Sequence, residues 1–298
     1  MLGVKRANRK DTMTTRADYR YLDRLRVRWA EVDMQKIVFN AHYLMYFDTA
    51  VAGYWRALAM PYQDTMAYLD GDLFARKATV EYNASARYDD VLDIGIRTQR
   101  IGTSSMVIAC AAFRGDTLLV SGELVYVFAD PVTQTSRALP QQLRDVLQAF
   151  EAGKPMVDVR IGSWADLGAQ ARPIRAQVFI DEQNIAADLE WDEADAACVH
   201  AVALNHFGVP LATGRLLEHV PGVAKIGRMA VLASMRGSHI GRAVLDALMQ
   251  VARERGDREV LLHAQTAAAP FYLRAGFQFR GEPFDEAGIP HVEMVRSL

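Results

Sequence analysis

Asp33 stands upstream of a run, Tyr43, Leu44, Phe47, Ala50, Val51, Tyr54 and Leu58, whose apolar spacing is that of a long amphipathic helix. A helix start carries unpaired N–H groups and a partial positive charge, which can hold the oxyanion of an attacked carbonyl. A carboxylate just ahead of it can activate water or attack the carbonyl itself. Asn40 and His42 follow closely. Taken alone, such an Asp is also read as a turn or cap residue. Further along, the strand-like Lys225–Leu232 runs into Arg236-Gly237-Ser238-His239-Ile240-Gly241-Arg242-Ala243, which opens a helix. Small residues at such a turn let backbone N–H groups converge on an anion. Gln265 and Tyr272 come next, and a tyrosine on a helix, by itself, is a packing residue.

The elements that must carry these residues fall into two sets. Leu25–Trp29 alternates apolar and basic residues, so a half-buried strand is expected there. A polar break at Glu31–Lys36 precedes the long helix, which ends before Pro61. Four strands are expected at 74–86, 91–101, 104–114 and 117–129, the third apolar on both faces and hence central. A helix over 140–152 closes the set. Gly153 and Pro155 then break the chain. The second set begins with a strand at Val157–Ile161 and a helix over 164–180. Strands at 197–205, 211–219 and 223–232, a helix at 240–255, a strand at 258–264, a helix at 267–275 and two last strands follow. Alternation of this kind predicts layered α/β packing.

The chain has 298 residues, 51% of them hydrophobic and 23% charged, enough for two cores. No apolar stretch is long enough to span a membrane and no secretory signal core opens the chain, so a cytoplasmic location is expected. Cys110 and Cys198 are too few for a disulfide framework or a cysteine zinc site. The net charge of -2 is uneven. Residues 1–20 carry +4, which predicts a disordered basic leader over 1–18 rather than a nucleic-acid-binding face.

Val27-Arg28-Trp29-Ala30-Glu31-Val32-Asp33-Met34-Gln35-Lys36-Ile37-Val38-Phe39-Asn40-Ala41-His42-Tyr43-Leu44-Met45-Tyr46-Phe47 resembles the opening of hotdog-fold acyl-CoA thioesterases of the 4-hydroxybenzoyl-CoA thioesterase-like family. Tyr88-Asp89-Asp90-Val91-Leu92 and Arg100-Ile101-Gly102-Thr103-Ser104-Ser105 resemble two later motifs of that family. The resemblance implies a hotdog domain over 19–150, a long helix wrapped by an antiparallel sheet, with Asp33 as its catalytic carboxylate. It also implies a homodimer or higher homo-oligomer formed through this domain. The family has Gly where this chain has Lys36 and Asp89. Lys36 puts a positive charge three residues from Asp33, near enough in sequence to pair with it.

After a linker at 151–155, residues 156–298 resemble the GNAT acetyltransferase superfamily, a mixed sheet flanked by helices. Arg236, Ile240 and Gly241 fit its acetyl-CoA loop, with His239 in place of Gly, and Tyr272 fits its helix motif, with Gln265 in place of Asn. Arg175, Val178-Phe179, Glu182-Gln183 and Glu190-x-Asp192-x-x-Asp195 narrow the resemblance to a branch with poorly defined acceptors. It implies that Met229 and Val231 bind pantetheine and polarise the acetyl carbonyl. The loop Arg236, Gly237, Ser238, His239, Ile240, Gly241 and Arg242, with Gln265, would hold the rest of the nucleotide. Tyr272 would protonate the departing thiolate. His200, His263, His291 and Glu293 are candidate bases for the acceptor amine by residue type alone. No spacing suggests a metal, and no tightly bound cofactor is implied; CoA thioesters enter as substrates. Asp181–Asp195 holds seven carboxylates and no Lys or Arg, read either as a solvated loop or as a mouth that attracts cationic amines.

The expectation is a two-domain α+β and α/β enzyme acting on CoA thioesters, with no nucleic-acid or membrane partner. Two rivals stand beside it. In one, only the transferase works and the hotdog domain is a dimerisation and CoA-binding module. In the other, the chain is a CoA-thioester sensor without activity.

Overall fold

A computed structural model describes residues 14–298. The expected basic leader therefore lies, up to residue 13, outside the described residues. Arg16–Asp18 form a short 3-10 turn, and Arg16 Nε reaches Asp93 Oδ2 at 2.9 Å. The chain divides into two compact units. Unit 1 comprises residues to Trp55 and Tyr62–Lys154; unit 2 comprises Arg56–Pro61 and Pro155–Leu298.

Unit 1 holds β1 (Tyr21–Arg26), α1 (Asn40–Ala57), α2 (Tyr62–Tyr68), β2 (Asp72–Tyr82), β3 (Val91–Ile101), β4 (Ser105–Arg114), β5 (Thr117–Ala129) and α3 (Gln141–Glu151). The five strands form an antiparallel sheet in the order β1-β3-β4-β5-β2. The run of apolar residues at 106–113 is buried throughout in the central strand. Helix α1 buries Tyr43, Phe47, Ala50, Val51 and Tyr54 on one stripe. A Cβ at Gly122 would lie 2.7 Å from the Thr79 backbone oxygen on β2 and 3.1 Å from the Phe47 ring, so both the strand pairing and the helix press on this glycine.

The first strand departs from expectation. It starts at Tyr21 and stops at Arg26, and Trp29–Glu31 is a 3-10 turn. Local side-chain bonding overrides the alternation. The Glu31 carboxylate accepts from the Arg28 amide at 2.7 Å and from Arg28 Nε at 2.6 Å, which winds the chain away from the ladder. Helix α2, just after Pro61, was not expected.

Unit 2 holds β6 (Val157–Gly162), α4 (Trp164–Arg175), α5 (Ala187–Glu190), β7 (Val199–Asn205), β8 (Pro210–Val220), β9 (Val223–Val231), α6 (Ile240–Arg255), β10 (Glu259–Gln265), α7 (Ala269–Arg274), β11 (Gln278–Glu286) and β12 (Ile289–Ser297). The seven strands lie in the order β11-β12-β10-β9-β8-β7-β6. Only β9 and β10 pair parallel. Ser163 and Asp166 cap the start of α4 reciprocally. The helix expected over 164–180 is in fact two segments, α4 and a π-helical stretch Ala176–Glu182. Pro173 lies just before the junction and offers no N–H to the α-helical ladder.

Candidate active sites

In unit 1, Asp33 lies on a tight turn closed by the Val32–Val38 bridge. Its own amide donates to Ile37 O at 2.9 Å, and the Lys36 amide donates to Asp33 O at 2.9 Å. Oδ1 accepts from the Gln35 amide at 2.8 Å and more weakly from the Ile37 amide at 3.5 Å. Oδ2 has no hydrogen-bond partner among the described residues. The carboxylate is half-buried. No ion pair between Lys36 and Asp33 is present among the described residues. Lys36 instead adopts φ +63°, the left-handed region that favours glycine.

Glu31 fastens this turn to the long helix. It is 3% exposed, and its Oε2 accepts from Tyr46 Oη at 2.6 Å. Burial would raise the Glu31 carboxyl, but the bonds from Tyr46 and Arg28 outweigh it and hold the carboxyl below its ordinary range. Sequence reasoning passed over Glu31; its place three residues after Arg28 was the available signal. Around the turn the apolar surface is open. Met34 is 100% and Trp29 74% exposed, and Phe39, Leu44, Met45 and Tyr88 are also exposed.

In unit 2 the site grows from a break in the sheet. The parallel pairing of β9 and β10 ends at Ile226 and Leu262, although β9 continues to Val231 and β10 to Gln265. Opposite Gly214 the β8–β9 register shifts, with Arg228 at φ +51°. Such a bulge re-aims side chains. A Cβ on Gly214 would crowd Met229 Sδ, so any larger residue here would have to displace the Met229 side chain. The open ends of β9 and β10 are the kind of place where α/β proteins receive ligands.

Two cavities meet at that gap. The larger, of about 880 Å³, is lined by Met229, Val231, Gln265, Tyr272 and the loop from Arg236 to Arg242, Ser238 apart. Ser238 turns its hydroxyl to Met235 O. The second cavity has about 580 Å³. Both are lined by Gln183, Met229, Gln265, Ala268 and Tyr272. Gln265 Nε2 donates to Gln183 Oε1 at 2.8 Å. Tyr272 is 8% exposed, and burial pushes its phenol well above the ordinary range, so it keeps its proton at neutral pH.

The loop reaches α6 through Gly237 at φ +82° and His239 at φ +64°. Among the described residues, the amides of Gly237, His239, Ile240, Gly241 and Arg242 donate to no acceptor. Those last three belong to the first turn of α6, where helical N–H groups have no partner of their own. The loop arginines are engaged elsewhere. Arg236 makes two 2.6 Å bonds to the Glu182 carboxylate, and Arg242 Nε lies 2.8 Å from Asp246.

The acidic segment is neither a solvated loop nor a free field at its far end. Arg175, 1% exposed, donates to Glu190 Oε1 at 2.5 Å and to Asp195 Oδ1 at 2.8 Å. Arg215 donates to Asp192 at 2.6 Å and to Asp195 at 2.7 Å, and Arg228 Nε lies 3.0 Å from Glu190 Oε2. Trp191 stacks its ring on Arg175, 4.8 Å from centroid to guanidinium. Three arginines scattered along the sequence close on three carboxylates, so no local charge count could reveal the network. The candidate bases also separate. His200 is 1% exposed, with Nε2 2.9 Å from Asp195 O, and lines neither cavity. His263 and His291 both line the second cavity. Among the described residues, no cluster of His, Cys, Asp and Glu is placed to hold a metal ion.

Comparison with known proteins matches each unit separately. Residues 35–121 match the thioesterase superfamily, and residues 177–298 match the GNAT acetyltransferase domain. The thioesterase match begins just after Asp33. The uncharacterised protein YyaT of Bacillus subtilis is 37% identical over 47% of this chain and 94% of its own length. The uncharacterised N-acetyltransferase YjcF of the same organism is 36% identical over 41% of this chain and 87% of its own. The acyl-CoA thioester hydrolase YbgC of Escherichia coli is 32% identical over 40% of this chain and 89% of its own. With both likenesses covering most of the relatives' lengths, the chain belongs to the thioesterase superfamily through its first unit and to the GNAT acetyltransferases through its second.

Proposed function

We propose a bifunctional CoA-thioester enzyme: unit 1 hydrolyses acyl-CoA, and unit 2 transfers the acetyl group of acetyl-CoA to an amine. The observation that carries this reading is the meeting of two cavities at Met229, Gln265 and Tyr272. The larger cavity takes acetyl-CoA. The unpartnered amides from Gly237 to Arg242 hold the pyrophosphate, aided by the helix dipole. The β9 backbone at Met229 and Val231 receives pantetheine, and Gln265 borders the acetyl group. Tyr272 delivers its proton to the departing thiolate. In unit 1, Asp33 Oδ2 is the free oxygen that activates water or attacks the thioester. The N–H groups that open α1 stabilise the oxyanion.

A homo-oligomer formed through unit 1 accords with the open apolar surface at Asp33 and with strand β2, an edge strand exposed along most of its length. The composition supports a cytoplasmic enzyme. The reading in which unit 1 is only a module draws on Lys36, whose left-handed backbone stands where the family has Gly.

Two substitutions test the assignment in one preparation. Asp33→Asn should cut acyl-CoA hydrolysis ~10²–10⁴-fold and leave acetyl transfer intact. Tyr272→Phe should slow single-turnover acetyl transfer on a similar scale, with acetyl-CoA affinity and hydrolysis kept. Full hydrolysis by the Asp33 variant would return unit 1 to a module. Full transfer by the Tyr272 variant would remove the phenol from the chemistry.

A further inference from the structure

The second cavity holds a histidine poised between two carboxylates and a lysine. His263 on β10 faces Glu293 on β12 across the antiparallel ladder, with Nε2 3.7 Å from Glu293 Oε2. Its Nδ1 lies 3.1 Å from Glu286 Oε2 on β11 and 3.4 Å from Lys225 Nζ on β9. The ring rests edge-on against Phe284, which stacks on His291. Glu293 is itself held by Arg280 at 2.5 Å. Nδ1 meets an acceptor, Glu286, more closely than a donor, Lys225; in the tautomer whose Nδ1–H donates to Glu286, the lone pair on Nε2 is open to a proton. When Nε2 takes one, Glu286 and Glu293 flank the resulting cation. His291 has no such partners; its Nδ1 donates to Ile289 O at 2.7 Å.

The charges of the cavity speak to its ligand. Arg215 and Arg228 are paired with Asp192, Asp195 and Glu190, as described above. Lys225, half-buried, makes no ion pair with a carboxylate among the described residues. Glu286 and Glu293 flank the same imidazole, so an ammonium would turn toward these carboxylates and an anionic group on the same ligand toward Lys225.

We propose that the second cavity takes a small primary amine that also carries an anionic group, with His263 as the base that deprotonates the amine and Lys225 as the partner of the anion. This rests on the reading of unit 2 as an acetyltransferase. The ammonium gives one proton to His263 Nε2, which passes it to solvent. The neutral nitrogen then forms its bond to the thioester carbonyl carbon. As the C–S bond breaks, its electron pair stays on sulfur and takes the Tyr272 proton. The second nitrogen proton restores the phenol, leaving amide, free thiol and one proton in solution. The anionic group is a carboxylate or a phosphate, both of which Lys225 would meet alike.

The test uses the full chain with acetyl-CoA and named amines. The standard L-amino acids and β-alanine carry a carboxylate, O-phosphoethanolamine carries a phosphate, and phenethylamine and spermidine carry no anion. Acetylation of at least one anionic amine is expected, with phenethylamine and spermidine at least tenfold poorer. Its class then identifies the anion. On that amine, His263→Gln should lower kcat/KM ~10²–10³-fold near neutrality and recover as rising pH deprotonates the amine in solution. His291→Gln should keep most activity. Lys225→Met should raise KM about tenfold, with a smaller change in kcat through its contact with His263. Acetyl-CoA affinity, read by calorimetry, should be unchanged in all three variants. Preference for spermidine or phenethylamine, acetylation of none of the amines, or a greater loss in His291→Gln than in His263→Gln would overturn the proposal. If wild-type protein fails to bind acetyl-CoA at all, the transferase reading falls instead.

Discussion

Asp33 and Tyr272 sit in opposite surroundings. Asp33 rides a half-buried turn ringed by exposed apolar side chains, with one carboxylate oxygen tied to amides and the other free. Tyr272 is enclosed, a shared wall of two cavities, and burial keeps its proton in place. Under the proposed roles, the contrast matches what each group would need. A carboxylate that works ionised needs amides or water beside it, whereas a phenol that works as an acid is preserved by dryness. Unit 2 builds such an enclosure from its own strands. Unit 1 leaves exposed apolar side chains near its carboxylate.

The comparison can be broken most forcefully at the arginine–carboxylate network behind the enclosed site. Asp195→Ala removes the shared acceptor of Arg175 and Arg215, and loss of one partner from a buried pair costs ~3–5 kcal/mol. Thermal unfolding of unit 2 should move to lower temperature while acyl-CoA hydrolysis at the original temperature persists. Equal loss of both activities would mean that the two units do not fail separately.

Acid should act in the same direction. Bonds and charges from Arg215 hold Asp192 below its ordinary range. For Asp195, burial pushes upward, but Arg175 and Arg215 outweigh it and the net is again downward. A depressed folded pKa means stability that is present above the unfolded value and lost as pH falls through the folded one. Glu190 opposes this, since burial outweighs Arg175 and Arg228 and raises its carboxyl. Its contribution is fully present below the unfolded value and declines as pH rises through the folded one. Replacing Asp192 with Asn should therefore flatten the acid limb of unit 2 stability in pH-dependent denaturant melts. A steeper limb would contradict the assignment.

A smaller effect sharpens the picture at the bulge. Gly214→Ala would push its methyl into Met229 Sδ and should weaken acetyl-CoA binding about tenfold, or ~1.4 kcal/mol, without touching hydrolysis. Unchanged calorimetric affinity would show that Met229 can move aside freely.

The smallest effect is shared by both units. Lys36, Asp89 and His239 all have positive φ, at +63°, +69° and +64°, and each stands where the resembled family has Gly. Glycine at Lys36 or His239 should relieve left-handed strain and stabilise by up to about 1 kcal/mol, partly offset by its greater freedom when unfolded. Denaturation midpoints that fall would show that these side chains carry contacts worth more than the strain.

Those three positions also show what was legible in the sequence. The departures from glycine could be read in the letters, but their common backbone geometry could not, because it depends on the turns they close. The apolar run at 106–113 announced the central strand, since a strand buried on both faces needs no alternation. Helix α6 was legible from Ile240 to Arg255 because its apolar period is unbroken. The first strand misled, since Glu31 reaches back to Arg28 and no pattern of apolar residues encodes that bond. The acidic segment misled for the opposite reason: its partners Arg175, Arg215 and Arg228 lie far apart in sequence. His263 and Glu293 become neighbours only through the register of β10 and β12.

Tyr272, Met229 and Gln265 border both cavities, so under the proposed reading no partition of fixed depth separates donor from acceptor. The acyl group and the amine then draw on one continuous volume. An acetyl group leaves the second cavity to the acceptor. A longer chain on the same thioester would extend into that space and exclude the amine, so acyl length and acceptor size are reciprocal. The ceiling on what unit 2 can transfer is thereby set by crowding at the meeting point of its two substrates. Unit 1, as the proposed hydrolase, would have no amine to accommodate, and its acyl limit would be free of that constraint.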